Sequence, residues 1–170
     1  DCDGEVDKDV PGWSSDLHFQ GSTTSDYGGW SLTTGDLDQD GFDDLIIGSK
    51  GYSNSRGHIA IFPGDNLPAP GSTIEYGYNE FPGMNTSDMA GYSVGVFPNF
   101  SATDTPSLVV GSPGSEGSGK VHLIDGDEAF YAGDLYDAFL TISGGSGSNL
   151  GKSFSPDIDL NGDGVHDLLG

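Results

Sequence analysis

The sequence predicts an all-β protein made of repeated four-stranded antiparallel sheets. Three observations support this fold class: short apolar runs between Gly- and Asp-rich turns, a segment that occurs three times, and an acidic pattern that occurs twice. Short strands at regular spacing between turn residues are typical of all-β architectures. No segment shows a sustained helical period. The one candidate helix, Glu128–Ala138, is short and is equally compatible with a loop.

The repeat is defined by a segment of the form Gly-x-Ser, at residues 29–31, 91–93 and 151–153. An outer-strand-like piece precedes each copy, so the repeats begin near residues 17, 73 and 139. The first two copies match in two further stretches, Leu45–Ser49 with Leu108–Ser112 and Gly57–Asp65 with Gly119–Asp127. Self-similarity at a fixed period indicates units that stack to bury the apolar faces each leaves open.

Each repeat supplies about four short strands, and four-stranded antiparallel sheets repeated around an axis form a β-propeller. Residues 13–170 thus make about two and a half blades of an incomplete propeller, after a separate segment at residues 1–12. Both ends are expected to be cut, with the remaining blades in further sequence or in another chain, because open strand edges expose unpaired backbone groups. Aromatic side chains are expected between the blades, among them Trp30, Phe62, Tyr92 and Phe154.

Two nine-residue loops carry oxygen-bearing side chains at positions 1, 3, 5 and 9, with Gly at position 6. Alternate oxygens on a chain that turns sharply at Gly converge on one hard cation, and Ca²⁺ takes ~6–8 oxygen ligands. The backbone carbonyl of position 7 supplies a further oxygen, so the sequence predicts two Ca²⁺ sites. The predicted ligands are Asp36, Asp38, Asp40, the Phe42 carbonyl and Asp44 in the first loop, and Asp159, Asn161, Asp163, the Val165 carbonyl and Asp167 in the second.

Two other structures share part of this acidic pattern. An EF-hand shares the opening pattern but requires Glu at position 12 and flanking helices. Position 12 is Ile47 in one loop and Gly170 in the other, between strand-like flanks, which excludes it. A solvated Asp-rich turn without metal is the second alternative, and two copies in the same ligand register favour calcium over it.

The middle repeat has lost the acidic pattern. Positions 5 and 9 are Thr103 and Ser107 there, and the Gly is absent. A neutral hydroxyl is a weak replacement for a carboxylate toward a hard cation. This hairpin is therefore predicted to close without calcium.

The charge balance excludes several function classes. The chain has 170 residues, with 27 acidic against 5 basic side chains and a formal net charge of −22. Nucleic-acid binding needs Lys and Arg for phosphate contacts, and an anionic membrane surface would repel this chain. No run of ~18 apolar residues is present, so no spanning helix is expected. Bound cations would relieve the self-repulsion of so many carboxylates.

Four motifs together resemble the FG-GAP repeat of the integrin α-subunit β-propeller and its bacterial relatives. They are Gly29-Trp30-Ser31, the loop Asp36–Asp44, Leu45-Ile-Ile-Gly48-Ser49 and Gly57-His-Ile-Ala-Ile-Phe62. The similarity covers about residues 13–170, and the calcium loop is its most specific part. The resemblance implies the same two sets of calcium ligands. Such propellers usually close with more blades than this chain supplies.

The first seven residues, Asp1–Asp7, are similar to the end of a Cys- and Asp-rich putative metal-binding repeat of large secreted bacterial proteins. In that family the Cys pairs with an upstream Cys, which would be the partner of Cys2. The alternative is an acidic, solvated terminus with a free thiol, since Cys2 is the one cysteine of the chain.

The function expected from these features is non-enzymatic. No nucleophile elbow, phosphate-binding loop or histidine metal spacing occurs, and carboxylates that hold calcium make poor general bases. We expect an extracellular calcium-binding module with a structural or adhesive role in a cell-surface or secreted assembly. Its partners would be other copies of itself or other surface proteins. Two alternatives stay open: a propeller that recognises a protein or glycan, and an accessory domain of a larger secreted hydrolase. N-glycans are possible at Asn85 and Asn99, which stand in Asn-x-Ser sequons.

Overall fold

The structure, a computed structural model, describes residues 23–67, 79–97, 105–130, 134–163 and 167–170. The predictions for residues 1–12, Cys2, Asn99, Val165 and the repeat starts near 17 and 73 lie outside these ranges. The described strands are β1 (Gly28–Gly35), β2 (Asp44–Ser49), β3 (His58–Phe62), β4 (Asn79–Pro82), β5 (Ser93–Phe97), β6 (Ser107–Ser112), β7 (Lys120–Asp125), β8 (Leu140–Ser143), β9 (Ser155–Ile158) and β10 (Asp167–Leu169).

Helical structure in the described ranges is confined to single turns. They are α1 (Tyr52–Ser55), α2 (Gly126–Ala129) and the 3-10 turns Gly64–Asn66, Ser115–Gly117 and Leu135–Asp137. The candidate segment 128–138 thus contributes the end of α2 and a separate 3-10 turn. None of the described helices has the length and hydropathy that crossing a bilayer requires.

The strands form two four-stranded antiparallel sheets and one two-stranded pair. Their orders are β1-β2-β3-β4, β5-β6-β7-β8 and β10-β9. The first strands of neighbouring sheets lie side by side, β1 against β5 and β5 against β9. The predicted all-β fold of incomplete propeller blades is therefore confirmed. We call the three sheets blades 1, 2 and 3; the domain boundaries proposed from the sequence stay a prediction.

The apolar core lies between the blades, because each strand points alternate side chains to opposite faces of its sheet. In β2, Ile46 faces the cluster shared with blade 2, whereas Ile47 packs with Phe62 on the other face. On the far side of blade 2, Phe97 belongs to a third cluster that includes Phe154 of blade 3. Stacking of the blades thus buries apolar side chains that a single sheet would leave exposed to solvent.

The aromatic residues predicted between the blades take different positions. Phe62 is buried, and Tyr92 and Phe154 are partly buried. The prediction is wrong for Trp30, whose side chain is 46% exposed. Its ring lies outside the blade core, edge-on to the ring of Tyr27 at 6.0 Å and to that of Tyr92 at 5.5 Å between centroids.

The Gly-x-Ser segment joins each blade to the next. Ser31 Oγ donates a hydrogen bond to the carbonyl of Gly91 at 2.8 Å, and Ser93 Oγ donates to that of Gly151 at 2.7 Å. At Gly48 an added Cβ would lie 2.2 Å from the Gly91 oxygen, so only glycine lets the backbones approach this closely. The repeated Gly and Ser therefore form the seam between neighbouring blades.

Buried His122 in β7 gives a prediction about pH. Its side chain is 1% exposed, and burial first, then nearby Lys120, lowers the pKa of His122 to about 4, against the opposing effect of Asp88. The unfolded chain binds this proton near pH 6.5 and the folded chain does not, so stability falls as the pH drops from 6.5 toward 4. Lowering the pH from roughly 6.5 to 5 should cost about 1.5 kcal/mol through this group.

Urea unfolding in saturating calcium at these two pH values measures that loss. His122→Ala places in blade 2 the residue that blade 1 has at the matching position, Ala60. We expect the variant to be less stable at pH 6.5 but to lose about 1.5 kcal/mol less on acidification. An unchanged pH dependence in the variant would contradict the assignment.

Candidate metal centre

The first acidic loop closes the hairpin between β1 and β2, where Gly35 pairs with Asp44. Gln39 and Gly41 adopt left-handed backbone conformations, with φ of 61° and 95°, which turn the chain sharply twice. Backbone N–H groups inside the loop then donate to its own carboxylates. Gly41 N lies 3.0 Å from Asp36 Oδ2, and Asp40 N lies 3.1 Å from Asp38 Oδ1.

The loop brings Asp36, Asp38 and Asp40 together. One carboxylate oxygen from each lies within 4.8 Å of the other two. Oδ1 of Asp36 is buried and has no hydrogen-bond partner among the described residues. A buried carboxylate oxygen without a donor is costly, and its neighbours here are further anionic oxygens. This donor set fits a hard divalent cation such as Ca²⁺, which binds carboxylate oxygens.

Charge repulsion within the cluster is visible in the pKa of Asp38. Burial raises this pKa, and the carboxylates of Asp40, Asp36 and Asp65 raise it further, against the lowering effect of the backbone hydrogen bond from Asp40. Asp65 follows β3 in the turn Gly64–Asn66 and was not among the predicted ligands. The repeated Gly-Asp at 64–65 and 126–127 was the sequence signal for it.

Asp44 plays a different part from the three clustered acids. It is fully buried; Oδ2 accepts a hydrogen bond from Leu37 N at 2.9 Å, and Oδ1 accepts one from Gly64 N at 3.0 Å. Burial raises the pKa of Asp44, and these two hydrogen bonds oppose that shift. The predicted ligand at position 9 therefore ties both ends of the loop to the turn after β3, and it lies outside the group of three.

The second loop repeats this local geometry between β9 and β10. Ile158 pairs with Asp167, as Gly35 pairs with Asp44. Leu160 N donates to Asp167 Oδ2 at 2.8 Å, and Asp163 N donates to Asn161 Oδ1 at 2.9 Å. In the first loop the matching hydrogen bonds are those from Leu37 N to Asp44 Oδ2 and from Asp40 N to Asp38 Oδ1. Asp159 Oδ1 accepts from Gly162 N and Asp163 N at 2.7 and 3.2 Å, whereas Val165 lies outside the described residues.

The middle hairpin lacks the carboxylate at position 9. Phe97 pairs with Ser107, so residues 98–106 connect the strands where blade 1 uses 36–43. Ser107 is fully buried, and its Oγ has no partner in the described ranges. Gly126 N, the counterpart of Gly64 N, donates to the carbonyl of Pro106 at 2.8 Å. A main-chain acceptor thus replaces the carboxylate.

Leu37, at position 2 of the first loop, connects the acidic cluster to the blade interface. Its side chain is fully buried in the cluster between blades 1 and 2, together with Ala129 and Leu135. Its carbonyl approaches α2 so closely that a Cβ on Gly126 would lie 2.1 Å away. Because Leu37 lies between Asp36 and Asp38, the cation loop and the packing of two blades share one backbone segment.

Residues 28–62, which span β1 to β3 and include the first acidic loop, match the family model of the FG-GAP repeat. The curated relatives are similar over most of the chain and carry one name, phosphatidylinositol-glycan-specific phospholipase D. The Mus musculus protein is 33% identical over 154 residues, 83% of this chain and 18% of the relative. The Bos taurus protein is 31% identical over 140 residues, 78% and 15%, and the Homo sapiens protein is 29% identical over 160 residues, 83% and 18%. The chain thus spans less than a fifth of these relatives.

Proposed function

Because the chain carries an FG-GAP repeat at residues 28–62, as its motifs predicted, we propose that it is a non-enzymatic, calcium-stabilised propeller module of an extracellular protein. The observation that carries the proposal is the triad Asp36, Asp38 and Asp40, with its unpartnered buried oxygen on Asp36. Calcium bound there would neutralise clustered charge and fix the segment that holds Leu37 in the blade interface. Binding energy would thereby become folding energy.

The proposal assigns two Ca²⁺ ions, one to each acidic loop. In the first loop Asp36, Asp38, Asp40, Asp44 and the Phe42 carbonyl would hold the ion. In the second loop the ligands would be Asp159, Asn161, Asp163, the Val165 carbonyl and Asp167. Extracellular modules bind calcium with Kd of ~10⁻⁴–10⁻³ M, which suits a structural ion that stays bound where calcium is plentiful.

Isothermal titration calorimetry of chelator-treated protein tests this stoichiometry. We expect two calcium ions for the unmodified chain and one for Asp36→Ala or Asp159→Ala. Ser107→Ala, in the middle hairpin that lacks the acidic pattern, should leave both sites intact. Absence of calcium uptake at millimolar concentration, or equal loss in all three variants, would overturn the proposal.

A structural role in a surface or secreted assembly is part of this proposal. Partners would be other copies of the chain or other surface proteins, joined through strand edges. Light scattering in calcium and after chelation should show larger particles in calcium.

Asn85 is exposed, with its amide nitrogen 3.4 Å from Asp88 Oδ2, and would accept an N-glycan if the source glycosylates secreted proteins.

A second candidate function is favoured by the relatives, which bear the name of a phospholipase D and are far longer than this chain. On this proposal the module is an accessory domain of a larger hydrolase and contributes no catalytic residue. Deleting residues 23–170 from the complete polypeptide separates the two candidates. Loss of hydrolysis would support the accessory role, and no hydrolysis before the deletion would exclude it.

A further inference from the structure

A cleft of about 590 Å³ opens at the end of blade 1 opposite the acidic loop. One wall is the segment that enters β1 and includes Thr23, Ser25 and Tyr27; the other is Gly51 with the turn α1 after β2. Its volume lies within the ~300–1,000 Å³ typical of small-molecule sites. None of the calcium ligands proposed above lines it, so it is a separate feature of the fold.

The wall formed by the turn α1 has an unusual backbone. Ser53, Asn54 and Ser55 are consecutive, and all three adopt left-handed conformations, with φ of 48°, 61° and 59°. A left-handed conformation costs a residue with a Cβ roughly 1–2 kcal/mol. At the matching turn of blade 2 the left-handed residues are Glu116 and Gly117. Both blades thus have a polar residue in the left-handed conformation at this point, Asn54 in blade 1 and Glu116 in blade 2, but blade 2 follows it with Gly117 where blade 1 has Ser55.

These polar side chains are presented to solvent at the cleft. Ser53 and Asn54 are exposed. The rest of the lining consists of Thr and Ser residues, Gly51, the buried Asp26 and the two tyrosines Tyr27 and Tyr52. Hydroxyl and amide groups donate and accept hydrogen bonds without carrying charge. Tyr27 is 55% exposed and stands next to the exposed Trp30, so an aromatic platform adjoins the hydrogen-bonding groups.

The charge around the cleft disfavours an anionic ligand. The lining residues in the described part of the chain include no Lys or Arg, and the net charge of −22 repels anions. Asp26 also lines the cleft, but its side chain is 6% exposed and accepts hydrogen bonds from Thr23 N and Thr23 Oγ1 at 2.9 and 2.7 Å. The aromatic platform already holds a cation of the chain itself. Lys50 Nζ lies 3.0 Å from the centre of the Trp30 ring, so that face of Trp30 already holds an ammonium group. The centre of the Tyr27 ring is farther from Nζ, at 5.1 Å.

We propose that the cleft lined by Tyr27, Tyr52, Ser53 and Asn54 binds a neutral saccharide. Sugar hydroxyls match the hydroxyl and amide groups of the left-handed turn, and the apolar face of a pyranose ring matches the exposed ring of Tyr27. On this proposal the left-handed turn holds the exposed Asn54 side chain in the wall of the cleft. Strain of this kind concentrates at ligand sites.

An array of immobilised neutral and acidic oligosaccharides, probed with the calcium-loaded chain, tests the proposal. We expect retention on neutral glycans, followed by measurable binding of the retained oligosaccharide in solution by titration calorimetry. Asn54→Gly removes the amide and relieves the left-handed backbone in one change. This variant should bind at least ten-fold more weakly while its Tm stays the same or rises.

Glu116→Gly is the matched control. It relieves the backbone strain of a left-handed residue in the corresponding turn of blade 2 and changes no residue of the cleft. It should leave saccharide binding unchanged. The proposal is overturned if the unmodified chain is retained on no neutral glycan, or if Asn54→Gly binds as the unmodified chain does. It is also overturned if Asn54→Gly lowers Tm, because the side chain would then serve packing.

Discussion

Asp38→Asn should raise the Tm of the calcium-free chain and lower that of the calcium-saturated chain. Burial and the neighbouring carboxylates raise the pKa of Asp38, so its negative charge opposes folding when no cation is present. With calcium the same charge becomes a ligand. A site filled at about 100 times its Kd contributes ~2.7 kcal/mol, which corresponds to a Tm increase of roughly 5–10 °C in a chain of this size. The variant should lose most of that increase for the first site.

Differential scanning calorimetry with and without a chelator measures both effects. Asp127→Asn is the control, because it removes one negative charge from an exposed position outside the acidic loops. The control should shift Tm slightly and in the same direction under both conditions. Parallel shifts for the two variants would mean that Asp38 acts through net charge alone and would count against a cation in the first loop.

The sequence predicts those features of this molecule that depend on local pattern. The loop register is an example, because Asp36–Asp44 and Asp159–Asp167 repeat the same residue types, and the structure pairs their strands at matching positions. The division into blades follows in the same way from the recurrence of Gly-x-Ser. Both features depend on residues close together in the chain, so the order of residues in the sequence is sufficient to predict them.

Features that depend on contacts between distant residues were not predictable. The carboxylate of Asp44 accepts a hydrogen bond from Gly64, and Leu37 packs in a cluster that includes several residues of blade 2. The sequence around Asp44 or Leu37 contains no pattern that indicates either contact. Trp30 shows the same limit, since its exposure depends on where Lys50 and Tyr92 lie. The cleft of blade 1 was missed because an Asn in a left-handed turn is ordinary in sequence. It became informative only when the structure placed three consecutive left-handed residues, 53–55, beside a cleft.

The loop should also depend on Asp44 when no metal is present. Asp44→Ala removes the acceptor of two backbone N–H groups, those of Leu37 and Gly64. Hydrogen bonds to charged groups contribute ~1.5–3 kcal/mol each, and a buried donor left unsatisfied adds to the loss. We expect Asp44→Ala to lower the free energy of unfolding by about 3–5 kcal/mol in the presence of a chelator. Asp44→Asn keeps one acceptor oxygen and removes a charge that burial disfavours, so it should lose less than half as much.

Ser107→Ala provides the internal comparison, because Ser107 occupies the same position in the middle hairpin and its buried Oγ has no partner among the described residues. Its removal should change stability by less than ~0.5 kcal/mol, or raise it, since no hydrogen bond is broken. Urea unfolding of the three variants with chelator measures these differences. Equal losses for Asp44→Ala and Ser107→Ala would show that packing at the hairpin end matters more than the carboxylate. A large loss for Asp44→Ala alone would mean that this side chain holds the loop closed before calcium binds, so that the ion meets ligands already in place.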